Sequence, residues 1–445
     1  MRKGIVHGRG RRPGDEAIGP RRRRAPFPRV RVVRLVQKFR GARRRVPRVV
    51  QKAWEGGDRV DLKSVIDTRR RAEPDLVLFT LVLVLAGIGI AMSYSASAAF
   101  AIRTFGDALH FLKRQLAWIV LGSAALFVVQ GIDYKIYARY TRLMLLGVLL
   151  LLVIVLIPGL GHSAKGSARW LGFGGLGIQP SEFVKIAVVI YLAKVFSTEY
   201  DGVVNHVIQI LVPMIIVAIM FVLIMMQPDF GTAITLVSVS AIILFVSGFP
   251  FMYILMLGII SIPMFYLLVY QVSYRRERIF AFLNPWRNRY GIGYHVIQSF
   301  TAFKKGGFLG EGLGNGTQKL GRLPEPHTDF IFAVIAEEAG LLGTLVIVGL
   351  FCALFWRGMK IALAAPDEFG RLLAMGITLL LVVQAFTNIA VVTGSLPTTG
   401  IPLPFISYGG SSMLTSMIGV GILLNISRYR EAAPENLKGG IEVWQ

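Results

Sequence analysis

Nine basic residues stand between Val272 and Asp329: Arg275, Arg276, Arg278, Arg287, Arg289, Lys304, Lys305, Lys319 and Arg322. Four acids oppose them, Glu277, Glu311, Glu325 and Asp329. Guanidinium groups hold phosphate oxygens through paired hydrogen bonds, most strongly where water is partly excluded. The segment therefore reads as an anion-binding one. Arg287 and Arg289 are its first candidates, because they sit in the acid-free stretch NPWRNRYGIGYHVIQS. Glycines and aromatics interleave through GIGYHVIQSFTAFKKGGFLGEGLGNG, which suggests a folded loop closely approached by something rather than a solvated basic tract.

Other residues could share in the chemistry. Glu182 and Lys185, three apart in QPSEFVK, fall on one helical face as a substrate contact or an intramembrane ion pair. His327 and Thr328 precede an apolar run beside the basic segment, with Thr328 also a candidate helix cap. Asp229 in QPDFGT could cap a helix or form a turn. Glu337 and Glu338 fall about two turns into the following helix, and at least one should face a cavity, paired with a cation. In SYGGSS, Ser407, Gly409 and Gly410 open another helix, where backbone amides could face an anion or the glycines could permit tight packing. No metal-ligand cluster, nucleotide loop or Walker motif is visible. No cofactor is therefore expected, beyond a divalent cation that a bound anion could bring.

The elements that must position these residues are membrane helices. The chain is 54% hydrophobic and 17% charged, with mean hydropathy +0.59, well below the charge content of soluble domains. Ten apolar stretches are long enough to span, at about 76–97, 112–131, 142–159, 181–197, 207–226, 232–249, 251–271, 330–356, 371–394 and 409–427. The predicted fold is an all-α polytopic membrane protein with a large outer loop, 272–329, between spans seven and eight. Arg69, Arg70 and Arg71 flank the first span and put both termini in the cytoplasm under the positive-inside rule. The single Cys352, inside an apolar run, reads as a buried inert thiol.

Residues 1–75 carry 24 Lys+Arg against 8 Asp+Glu, so most of the +24 net charge lies ahead of the spans. This segment reads as a basic cytoplasmic tail, either disordered or folded on anionic lipid through Val32, Leu35, Val36 and Phe39. It shows no signal-peptide core and no base-reading module, so nucleic acid is not an expected partner. The membrane domain is expected over 76–430, with a cytoplasmic C-terminal tail at 431–445.

Five blocks, SARWLGFGGLGIQPSEFVKI, MQPDFGTA, NPWRNRYGIGYHVIQS, LPEPHTDFIFAVIAEEAG and LPTTGIPLPFISYGGSS, resemble the SEDS family, the ten-span group that contains FtsW and RodA. GLGNGTQKL and PLPFISYGG lean toward the division branch, YHVIQS toward the elongation branch. The resemblance implies a peptidoglycan glycosyltransferase of the cytoplasmic membrane, acting in septal wall synthesis. It joins the 4-hydroxyl of one lipid II to the anomeric carbon of another, with undecaprenyl pyrophosphate as leaving group. It implies as partners a class B penicillin-binding protein transpeptidase, other division proteins and membrane lipids. A lipid II flippase and a non-catalytic division scaffold are the alternatives.

One position departs from the family. Its loop motif carries an aspartate taken as the essential base, and that position is Asn288 here; the glutamine after the motif tyrosine is His295. An amide cannot accept a hydroxyl proton as a carboxylate does. Either Glu277, Glu325, Asp329 or His295 takes over, or the protein is a weak or inactive relative, or Asn288 is an engineered change.

Overall fold

The computed structural model describes residues 73–429, apart from 160–161, 165–166, 174–175 and 199–202. The expected basic and C-terminal tails lie outside the described residues. Ten helices coincide with the ten expected spans: α1 (Leu76–Phe105), α2 (His110–Gly131), α3 (Tyr134–Leu156), α4 (Pro180–Phe196), α5 (Val203–Met226), α6 (Phe230–Val246), α7 (Phe251–Phe265), α10 (Ile331–Leu363), α11 (Glu368–Val392) and α12 (Gly410–Ser427). Seven of them are long and apolar enough to cross a membrane unaided. The remaining three, α4, α6 and α7, run 15 to 17 residues.

The third helix begins at Tyr134, well before the expected 142. Asp133 caps it through the amide of Lys135, and its first turns carry Lys135, Arg139 and Arg142, which a hydropathy reading trims away. The loop 272–329 is largely helical. It holds α8 (Ser273–Leu283), a 3₁₀ turn (Pro285–Asn288) and α9 (Gly293–Gly306). A small antiparallel sheet, β1 (His162–Ala164), β2 (Ser167–Phe173) and β3 (Leu176–Ile178), fills the connection between α3 and α4.

Helix α4 is buried on nearly every side, as are α11 and α12, so these three form the bundle's centre. Helices α1, α2, α3 and α5 instead expose leucine, valine and isoleucine outward, the signature of a lipid-facing surface. Cys352 is on this outer surface and not in the core, alongside exposed Leu345, Val346 and Trp356 on α10. An apolar run cannot by itself say which of its faces meets lipid.

Connections alternate between two ends of the bundle. At the end remote from the loop, Asp75 caps α1, accepts the Arg357 Nε at 2.8 Å and donates its own amide to Ser427 Oγ. Nearby, Asn425 joins the amide of Tyr134 to the carbonyl of Gln130, and the Tyr134 hydroxyl donates to Asp367 at 2.7 Å. Five segments distant in sequence are thereby tied at one end. The β-sheet, the Gln227–Asp229 turn, the long loop and residues 393–409 gather at the other.

Candidate active site

A cavity of about 150 Å³ opens at the loop end. Helix α8 contributes Tyr274 and Arg278, the start of α9 contributes Ile292 and His295, and the turn before α10 contributes Glu325, Asp329 and Phe330. The floor comes from Asn388 and Val391 near the end of α11 and from Thr398, Gly400 and Ile401. Segments more than 100 residues apart therefore build one concave surface with a cation, two acids and an imidazole.

Each polar wall is held in place. The Arg278 guanidinium donates to the Thr398 carbonyl at 2.9 Å and lies over the Tyr274 ring, 4.5 Å from its centroid. It also bonds the Tyr274 hydroxyl. Asn388 is 1% exposed and donates from Nδ2 to the carbonyls of Asp329 and Ile401. Its Oδ1 accepts no hydrogen bond from the described residues, although a buried polar atom normally finds one. Asn388 thus carries an unpartnered acceptor buried in the cavity wall. Asp329 turns Oδ2 toward Gly400, whose left-handed φ of 77° keeps the chain there free of a side chain.

Glu325 is set between Pro324 and Pro326 with a left-handed φ of 51°. For a residue with a side chain this costs roughly 1–2 kcal/mol, a strain that clusters at functional sites. Its backbone carbonyl accepts the amides of Thr328 and Phe330. The Thr328 hydroxyl reaches the Glu325 carboxylate at 3.3 Å, so Thr328 bonds back into this turn instead of capping α10. His295 packs its ring against Phe330, 5.6 Å between centroids. Burial first, and the Arg278 charge second, hold the imidazole below its ordinary pKa of 6.5, while Glu325 pulls weakly the other way.

Further cations crowd the approach. Arg169 from β2 donates to the carbonyls of Gln227 and Pro228, and Arg275 from α8 donates to Met225 at 2.7 Å. Both serve the carbonyl end of α5, where positive charge is favoured. Burial first, and the charges of Arg169 and Arg278 after it, lower the Arg275 pKa.

The residues singled out by sequence divide accordingly. Asn288, Arg287 and Arg289 sit on or beside the exposed 3₁₀ turn, outside the cavity wall, with Arg289 over the Tyr290 ring at 4.8 Å. Glu182 and Lys185 pair at 2.9 Å, both almost fully buried, and bond onward to Thr415 and Gln384. His327 is buried among Phe100, Phe111 and Tyr408. Ser407 donates to the Thr328 carbonyl at 2.6 Å and accepts from the Leu403 amide, fixing the α12 entry against the Glu325 turn. Asp229 caps α6 and accepts from Gln179 and Ser181.

Gly409 is the N-cap of α12, and Gly410 packs on Trp118, where an added Cβ would lie 2.1 Å from the indole. Gly410→Val should therefore cost about 1–3 kcal/mol or more through overpacking, and a melting temperature unchanged from wild type in detergent would refute that packing role.

Glu337 and Glu338 turn away from this cavity and clamp the loop. Glu337 accepts the amides of Thr317 and Gln318, and Glu338 accepts the Gly314 amide, Ser95 and the Lys319 ammonium. A break in α10 at Gly340, φ 65°, lets residues 307–312 lie against it. Of the glycines in GGFLGEGLGNG, Gly306 and Gly310 thus lie against the backbone of α10, and Gly316 against the side chains of Glu337 and Glu338. Sequence reasoning missed the particular roles of Arg278, Asn388 and Tyr274. The first was visible only as one of nine cations.

The model of the FtsW/RodA/SpoVE family, described as "Cell cycle protein", matches residues 75–432. The chain belongs to this family. It is 47% identical over 365 residues to the "Probable peptidoglycan glycosyltransferase FtsW" of Trichlorobacter lovleyi, covering 82% of this chain and 96% of that one. Stage V sporulation protein E of Bacillus subtilis is 43% identical over 362 residues, 81% of this chain and 99% of the other. Among solved structures, a chain of a peptidoglycan synthase complex that coordinates polymerization and crosslinking superposes with a TM-score of 0.66 at 28% identity. That match covers 80% of this chain and 98% of the other. The protein is a multi-pass membrane protein with the fold of these relatives.

Proposed function

We propose that this protein polymerises lipid II into peptidoglycan strands at the outer face of the cytoplasmic membrane, in septal wall synthesis. The carrying observation is the loop-end cavity, with Arg278, two acids, an imidazole and a free Asn388 acceptor, inside a frame shared with peptidoglycan glycosyltransferases. The reaction needs a cation to stabilise the departing pyrophosphate and a base for the attacking hydroxyl. Arg278 supplies the first, reinforced by the field of Arg169 and Arg275.

Glu182, Lys185, Gln384 and Thr415 satisfy one another deeper in the bundle, which supports a one-sided enzyme over a flippase. A divalent ion accompanying the pyrophosphate would meet the carboxylates of Glu325 and Asp329. By likeness to the synthase complex, a class B penicillin-binding protein is the proposed partner. The deciding assay gives purified protein lipid II, with and without such a partner, and resolves glycan products on a gel. Absence of polymer under both conditions, from wild type and from Asn288→Asp alike, would reject the reading.

Orientation is tested separately. With Cys352 replaced, cysteines at Asn315 and at Glu368 should label from outside and inside the cell respectively. Position 368 is chosen because Asp367 caps α11 and accepts the Tyr134 hydroxyl. Equal accessibility of both would contradict the proposed topology.

A further inference from the structure

A hydroxyl attacking an anomeric carbon must lose its proton, and Asn288 is an exposed amide outside the cavity, unable to take it. The cavity wall holds three groups that can: His295, Glu325 and Asp329. We propose, resting on the polymerase reading above, that His295 is the proton acceptor of this chain and that Glu325 is the positioning residue that stabilises its charged form. In the step, the acceptor oxygen bonds to the anomeric carbon while the bond from that carbon to the pyrophosphate oxygen breaks. The hydroxyl proton passes to a ring nitrogen of His295, and the electron pair leaves with undecaprenyl pyrophosphate toward Arg278.

Three observations favour the imidazole over the acids. Its ring is fixed by Phe330 and by its place in the first turn of α9, at the cavity wall. Glu325 is committed by the strained turn and by the Thr328 hydroxyl, an arrangement that orients a carboxylate for a neighbouring cation. Asp329 turns its Oδ2 toward Gly400, and its carbonyl accepts the Asn388 amide. The charged and titratable groups that share the cavity wall with the ring are Tyr274 and Arg278 from α8 and Glu325 and Asp329 from the turn. Burial first, and Arg278 second, keep the resting imidazole neutral and able to accept, and Glu325 offsets that effect once the proton arrives.

The test measures lipid II polymerisation and undecaprenyl pyrophosphate binding for wild type, His295→Gln, His295→Ala, Glu325→Gln and Asn288→Asp. His295→Gln should lower kcat by about 10²–10⁴-fold, with pyrophosphate-lipid binding retained as the sign of a folded site. The acidic limb of the wild-type kcat profile, set below pH 6.5, should vanish in that variant, and added imidazole should partly restore His295→Ala. Glu325→Gln should keep the limb but move it to lower pH. Wild-type activity that survives His295→Gln within about threefold overturns the proposal and leaves the polymerase reading standing. An inactive wild type that gains activity on Asn288→Asp also overturns only the proposal. No polymer from either would reject the polymerase reading itself.

Discussion

Lys185→Met is expected to destabilise the protein by about 3–5 kcal/mol, the usual result of stranding one member of a buried ion pair. Lys185 and Glu182 are each about 3% exposed, and α4, which carries both, lies at the centre of the bundle. Without the ammonium, Glu182 keeps only the Thr415 hydroxyl at 3.2 Å, and Gln384 loses its partner at 2.8 Å. Replacing both charges, with Glu182→Leu and Lys185→Met, should recover most of the loss, because no uncompensated charge remains. A residual cost of about 1–3 kcal/mol is expected from the unpaired Gln384 acceptor. Thermal unfolding in detergent measures all three proteins. If the double variant is as unstable as the single one, the pair is not the source of the effect. If Lys185→Met is as stable as wild type but loses substrate binding, the pair is a ligand contact.

The membrane helices were legible because a span announces itself by length and apolarity, whatever its neighbours are. Even so, α4 shows where that reasoning thins: its 17 residues carry Glu182, Lys185 and Lys194, and only the surrounding helices make two of these charges tolerable. The helices inside the loop were not foreseen, since α8 is rich in arginine and the inward face of α9, with Val296, Ser299 and Ala302, is short and only partly apolar. Their order comes from tertiary contacts: Ala281 of α8 and Val296 and Ala302 of α9 are buried, and Gly306 closes against the Ala336 backbone of α10. The site was legible in kind but not in detail. A basic segment with too few acids signalled an anion, yet nothing local separates Arg278 from Arg287. The difference lies in Thr398, 120 residues away, and in the Tyr274 ring one helical turn back. Asn388 reads in sequence as an ordinary polar residue of a span. Only the fold shows that its donors are used and its acceptor is not.

Arg278→Ala should lower kcat by about 10²–10³-fold, the scale of removing one preorganised donor from a developing anion. Among the described residues it is the one loop cation in the cavity wall, half-buried, with its fork already oriented by Thr398 and Tyr274. A preoriented guanidinium costs little to align when pyrophosphate departs, so its effect should fall on kcat more than on KM. Arg278→Lys should be intermediate, since the charge survives but the planar fork does not. Arg287 and Arg289 make the internal control. They are exposed, and neutralising them together should weaken pyrophosphate-lipid binding by several fold at low salt and by less as ionic strength screens them. The loss at Arg278 should persist at high salt, because a partly buried contact is screened much less. If Arg278→Ala proves mild while the Arg287 and Arg289 pair abolishes polymerisation at any salt, the leaving group departs at the exposed turn, and the cavity serves the acceptor sugar alone.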